Sequence, residues 1–152
     1  MYSTVLTTHS WLRWATLLLA IGATINAFRP DRDLTRKPPG ARWDTFLMAA
    51  VDLQALLGLA LYFGLSPFTT AAFDDIGGAM RNPALRFWVV EHITAMVAAI
   101  VLVRVGRVLA LNARTAEVRR RRRLMSFAAA TLVMLIGIPW PGLPYGRALF
   151  RI

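Results

Sequence analysis

The chain has no cysteine. That absence excludes disulfides, thiol catalysis, cysteine-ligated metal, iron–sulfur clusters and covalent haem attachment through a CxxCH motif. Acidic residues are few, eight against eighteen Lys+Arg, and histidine occurs twice, at His9 and His92. A catalytic motif, a low-complexity tract and a convincing repeat are also lacking, so the chain reads as not an enzyme by itself. What remains is apolar: 57% of 152 residues, with a mean hydropathy of +0.50, too greasy for a soluble fold of this size.

A membrane-spanning helix needs about 20 mostly apolar residues to cross a hydrocarbon core of roughly 30 Å. Four segments come near that length, at about 4–28, 43–64, 83–104 and 124–140. Ser3 is the expected cap of the first, and Asn82 with Pro83 the expected start of the third. The fourth is the shortest. It stops at Ile138 to Pro141 (IPWP), where missing donors and restricted backbone angles end a helix. The expected fold is therefore all-α, one integral membrane domain over residues 1–152 arranged as a four-helix up-down bundle. Met1 to Ser10 carries no Lys or Arg and Arg13 interrupts the first apolar run, so that segment reads as a span and not as a signal peptide.

The charges give an orientation. Arg29, Arg32, Arg36, Lys37 and Arg42 lie between the first two spans, and Arg104, Arg107, Arg114 and Arg119 to Arg123 between the last two; these are thirteen of the eighteen basic residues. The positive-inside rule puts both links in the cytoplasm and both termini on the periplasmic side. A net charge of +10 then reflects anionic headgroups, with membrane lipid as the partner and no nucleic acid. The run Arg119 to Arg123 is expected to mark the inner interface. The link Ser66 to Arg81 is long enough to form a lid or a short surface helix over the opposite mouth.

Ionisable residues inside spans are costly and mostly face the interior. His9 and His92 sit on the first and third spans, which run in the same direction and lie diagonally in an up-down bundle, at depths differing by about 6 Å at 1.5 Å per residue. Two imidazoles meeting across a core are what a six-coordinate b-type haem requires. Arg13, one turn below His9, and Arg86, near the surface, are candidate propionate partners; Trp14 and Met96 are candidate pocket walls. The same histidines also suit plainer roles, His9 meeting interfacial water and His92 a local hydrogen bond beside Glu91. Asp52 is expected to pair with Arg104 or Arg107; with Glu91 it would make only a sparse proton relay.

His9 to Trp14 (HSWLRW), Gly58 to Phe63 (GLALYF), Glu91-His92 and Ile138 to Pro141 (IPWP) together resemble a poorly characterised family of small four-span bacterial inner-membrane proteins, sometimes labelled cytochrome-b-like. The resemblance implies a multi-pass protein of the bacterial inner membrane. Two expectations follow for function. One is a small b-type cytochrome-like subunit with haem b held by His9 and His92, exchanging electrons with a quinone or a neighbouring redox protein. The other is a haem-free accessory subunit of a respiratory or photosynthetic complex. Either way, the partners are other membrane subunits.

Overall fold

The computed structural model describes residues 1–150; Arg151, one of the eighteen basic residues, and Ile152 lie outside the described residues. The chain is all-helical: α1 (Tyr2–Phe28), α2 (Ala41–Leu65), two short helices α3 (Pro67–Asp74) and α4 (Ile76–Arg81), α5 (Pro83–Leu111) and α6 (Ala116–Gly137). Three of these, α1, α2 and α5, are long and apolar enough to cross a membrane. Their outward faces are apolar, with Leu18, Leu56 and Phe63 at least 65% exposed, as expected of surfaces that meet hydrocarbon.

Helix starts follow local chemistry. The Asn82 side chain accepts the Ala84 and Leu85 amides with Pro83 at the first helical position, as expected from sequence. The Thr115 hydroxyl accepts the Val118 amide at the start of α6. Ser3 does not cap α1: the helix begins at Tyr2 and Ser3 lies inside it. The third long helix runs seven residues beyond the expected end at 104, because Val105 to Leu111 contains no proline and its one glycine, Gly106, is packed against Ser126. The fourth begins at Ala116, eight residues earlier than expected, and ends at Gly137.

Neighbouring long helices are antiparallel. Gly22 of α1 packs on the Trp43 ring and Thr24 bonds Thr131 of α6; Gly106 of α5 lies against Ser126. α1 sits between α2 and α6, and α5 packs most closely on α6, while the α2–α5 seam is the least populated of the four. α1 and α5 therefore face each other diagonally. The main core draws on Leu17, Ala20, Ala23, Leu47, Val51, Ala99, Val103, Phe127, Ala130 and Met134. Small residues at these positions let backbones approach closely, a feature of helix packing in lipid.

The early start of α6 has a physical cause at the arginine-rich end. Arg119 and Arg123, one turn apart, point inward. Arg119 makes a two-pronged contact with Asp31 at 2.6 and 2.7 Å and also donates to the Leu34 and Asp33 carbonyls. Arg123 makes a second with Asp44 at 2.8 Å on each prong and donates to the Pro39 carbonyl. Side chains of both pairs are at most 7% exposed. The hydrogen bond to Asp31 holds the Arg119 guanidinium above its ordinary, already high pKa. Two members of the arginine run thus clamp the α1–α2 link from inside; Arg121 remains exposed. Gly40, with φ of 71°, starts α2 in a left-handed turn against Asn26, where a β-carbon would clash.

Breaking one partner of a buried ion pair strands the other charge. Asp44→Asn should lower stability by about 3–5 kcal/mol in detergent, whereas Asp44→Leu combined with Arg123→Met should recover most of that loss. Thermal unfolding of the three proteins checks this; equal losses for the single and double variants would sink the account.

Candidate functional site

The end of α6 creates the site. Ile138 leaves the helix with ψ of 133°, the extended conformation favoured before proline, and Pro139 and Pro141 prevent resumption. The last carbonyls of a helix lack intrahelical donors. Here side chains supply them: the Trp140 indole donates to the Leu135 carbonyl at 2.9 Å, and His92 Nδ1 bonds the Gly137 carbonyl at 2.8 Å. A carbonyl can only accept, so His92 carries its proton on Nδ1 and its Nε2 keeps a free lone pair.

Beyond Gly137 no fourth helix fills the space between α1 and α5. The segment 138–150 folds back as a strap in its place. Phe150 packs on Trp11 and Trp14, Tyr145 stacks on Phe87 at 3.7 Å, and the Leu149 carbonyl accepts from both Arg13 and Trp14 at 2.9 Å. Between strap and helices lies a cavity of about 200 Å³, in the half of the molecule away from the buried arginine pairs. All four long helices line it, and His9, Arg13, Gln54, His92, Met96 and Arg147 are among its walls. Ser66 and Thr69, at the start of the link that carries α3 and α4, also reach it.

Two π-helical turns shape the rim, Leu61–Leu65 in α2 and Phe87–Glu91 in α5. Each widened turn disturbs the regular carbonyl ladder; the Tyr62 hydroxyl donates to the Val89 carbonyl at 2.9 Å and joins the two. The second π turn immediately precedes His92 and sets its direction on the helix.

His9 sits differently from His92. Its ring fits over Gly58, where an added β-carbon would lie 3.2 Å from Cε1. The Gln54 amide donates to the His9 carbonyl at 3.1 Å and faces His9 Nε2 at 3.2 Å. His9 Nδ1, Gln54 Oε1 and Arg13 Nε are buried without a hydrogen-bond partner. Buried orphans of this kind cost about 1–3 kcal/mol each, and three gathered at one cavity mark a place built for a polar partner.

The cavity therefore brings together His9, His92, Arg13 and Met96 and leaves out Trp14 and Arg86. Trp14 packs behind Arg13, whose guanidinium lies 4.9 Å from its ring centre. Arg86 is held by Glu91 at 2.8 Å, five residues along the same helix, which satisfies its charge locally. Asp52 bonds Arg104, as expected, and the pair is half-exposed on the α2–α5 side. Sequence reasoning marked Gln54 only as one end of a polar and small stripe with Gly58 and Tyr62, without its contact to His9, and it missed Arg147. Gln54 was visible two residues beyond Asp52 on an apolar helix; Arg147 lies beyond the prolines, where no periodicity indicates direction. Among the described residues, no group of three or more His, Asp or Glu side chains gathers as a metal site. No protein-family model, curated protein or solved structure matches the chain.

Filling the space over Gly58 should displace the His9 ring. Gly58→Val is expected to cost about 1–3 kcal/mol by overpacking, while Gly64→Ala, whose β-carbon meets nothing within 4 Å, should be silent. Thermal unfolding in detergent compares the two; a silent Gly58→Val would show that the ring is not held against that glycine.

Proposed function

We propose that the chain crosses a bacterial inner membrane four times as an up-down bundle with both termini periplasmic, and serves electron transport as a small b-type cytochrome-like subunit. In this reading His9 and His92 would hold one haem b near the outer face. The observation that carries it is the hydrogen bond from His92 Nδ1 to the Gly137 carbonyl, which leaves Nε2 available beside a cavity that His9 also lines. An imidazole oriented through its other nitrogen is the usual second-layer arrangement for a ligating histidine.

The donor set fits. Two imidazoles are too few for a closed metal site made by protein alone, which needs about four ligands, but they suffice where a macrocycle supplies the rest. The neighbouring walls are apolar, with Ile93, Met96 and Ile100 on the His92 helix. Haem, when bound, supplies one-electron chemistry; the chain's own residues orient the ligands and exclude water. His92 is fixed by a backbone carbonyl, whereas His9 is held by Gln54 and must turn that amide aside to ligate through Nε2. The cavity, about 200 Å³, is smaller than the roughly 300–1,000 Å³ of most ligand sites. Seating a porphyrin would therefore require the cavity walls to move apart.

Four crossings are supported by the antiparallel order and by the charge asymmetry. The uncharged part of α6, Leu124 to Gly137, reaches roughly 21 Å at about 1.5 Å per residue, short of the roughly 30 Å core. The strap and the internally paired arginines make up the difference. The second reading is a haem-free accessory subunit of a larger membrane complex. Its support is the Asp52–Arg104 pair, about half exposed on two apolar helices; a charged pair at such a depth is better placed against another subunit than against lipid.

Two experiments separate these readings. A reporter active only in the periplasm should work when fused after the last residue and fail when inserted near Arg121; the reverse pattern would invert the topology. Full-length protein purified in detergent from cells supplied with haem should show a sharp reduced α band. His9→Ala or His92→Ala should each abolish the low-spin spectrum. Folded wild-type protein that lacks haem under those conditions would leave the accessory reading.

A further inference from the structure

Every buried arginine at the clamp faces a carboxylate, Arg119 with Asp31 and Arg123 with Asp44. The half-exposed Arg86 and Arg104 do as well. Arg13 and Arg147 differ: among the described residues neither is within ion-pair distance of an acid, as is also true of the partly buried Arg107 and Arg120, but Arg13 and Arg147 are the arginines that line the cavity beneath the strap. A guanidinium does not lose its charge at any ordinary pH, and two of them unpaired in an apolar cavity repel each other and lack counter-charge.

Their surroundings keep them ready for an anion. The Arg147 guanidinium lies 4.6 Å from the Phe68 ring centre and 4.7 Å from that of Trp88. Ring faces stabilise a cation without consuming its N–H donors, and none of the Arg147 side-chain donors is engaged by a described residue. Arg13 uses one terminal nitrogen on the Leu149 carbonyl and leaves Nε buried and unbonded. Arg147 and Trp88 also border a second, more open groove, so the wall they form lies toward the protein surface.

We infer that Arg147, together with Arg13, holds the two propionate carboxylates of the bound porphyrin, so that its polar edge faces the strap and its apolar edge points into the helices. This rests on the haem reading above. A neutral quinone would satisfy neither charge, whereas a flat apolar ring with two carboxylates on one edge matches two cations and an apolar lining. The strap residue replaces Arg86 in that role, since Arg86 is already neutralised by Glu91.

The test compares iron protoporphyrin IX with its dimethyl ester, which keeps iron and ring but has no propionate charge. Each is titrated into full-length apoprotein in detergent and followed by its absorption spectrum. Arg147→Gln should weaken binding of the free acid about 10-fold, the loss of one charge-assisted contact, and leave the ester unchanged. Arg13→Gln should act in the same direction. Equal weakening of both porphyrins, or no weakening of either, would overturn the assignment, while a low-spin two-histidine spectrum from wild type with either porphyrin would keep the haem reading intact. Wild-type protein that binds neither porphyrin overturns the haem reading, and this inference with it.

Discussion

A helix that ends in apolar surroundings must find donors for its last carbonyls within the protein. The stop at Pro139 and Pro141 forces that problem on α6, and the rest of the site follows from its solution. His92 and Trp140 turn inward to serve the Gly137 and Leu135 carbonyls. The tautomer of His92 is thereby set by backbone bookkeeping alone. The missing turns of helix leave the void, and the strap, which carries Arg147, is what closes it.

The two halves of the molecule answer different demands. Near the buried arginine pairs the helices are close-packed through alanine and glycine, and charges are matched carboxylate for guanidinium. Buried ion pairs contribute little net stability compared with apolar packing, but each strongly disfavours any arrangement that separates its members. They therefore fix how α6 meets the α1–α2 link. At the other end more polar atoms are left wanting: His9 Nδ1, Gln54 Oε1 and Arg13 Nε are buried and unbonded, against Arg123 Nη1 at the clamp.

Much of this was legible in the sequence where a local rule applied. Asn82-Pro83 announces a helix start, the prolines after Gly137 announce a stop, and Asp52 finds the arginine expected of it. The diagonal placement of His9 and His92 follows from helix order. The clamp was hidden because a block of five arginines reads as one solvated patch; only the spacing of Arg119 and Arg123, one turn apart, distinguishes the two that turn inward. Arg86 looked free because a partner five residues away comes within reach only through the π turn that follows it. Arg147 was out of reach, since the strap has no period from which a direction could be read.

The arginine clamp also has a consequence for biosynthesis. Asp31 and Asp44 emerge from the ribosome with the first two helices, but their partners arrive on the last one. Until α6 docks, the early part of the chain holds two carboxylates in sites shaped for guanidinium ions, and the strap that closes the cavity has yet to follow. A half-made chain is thus electrically distinct from a finished one.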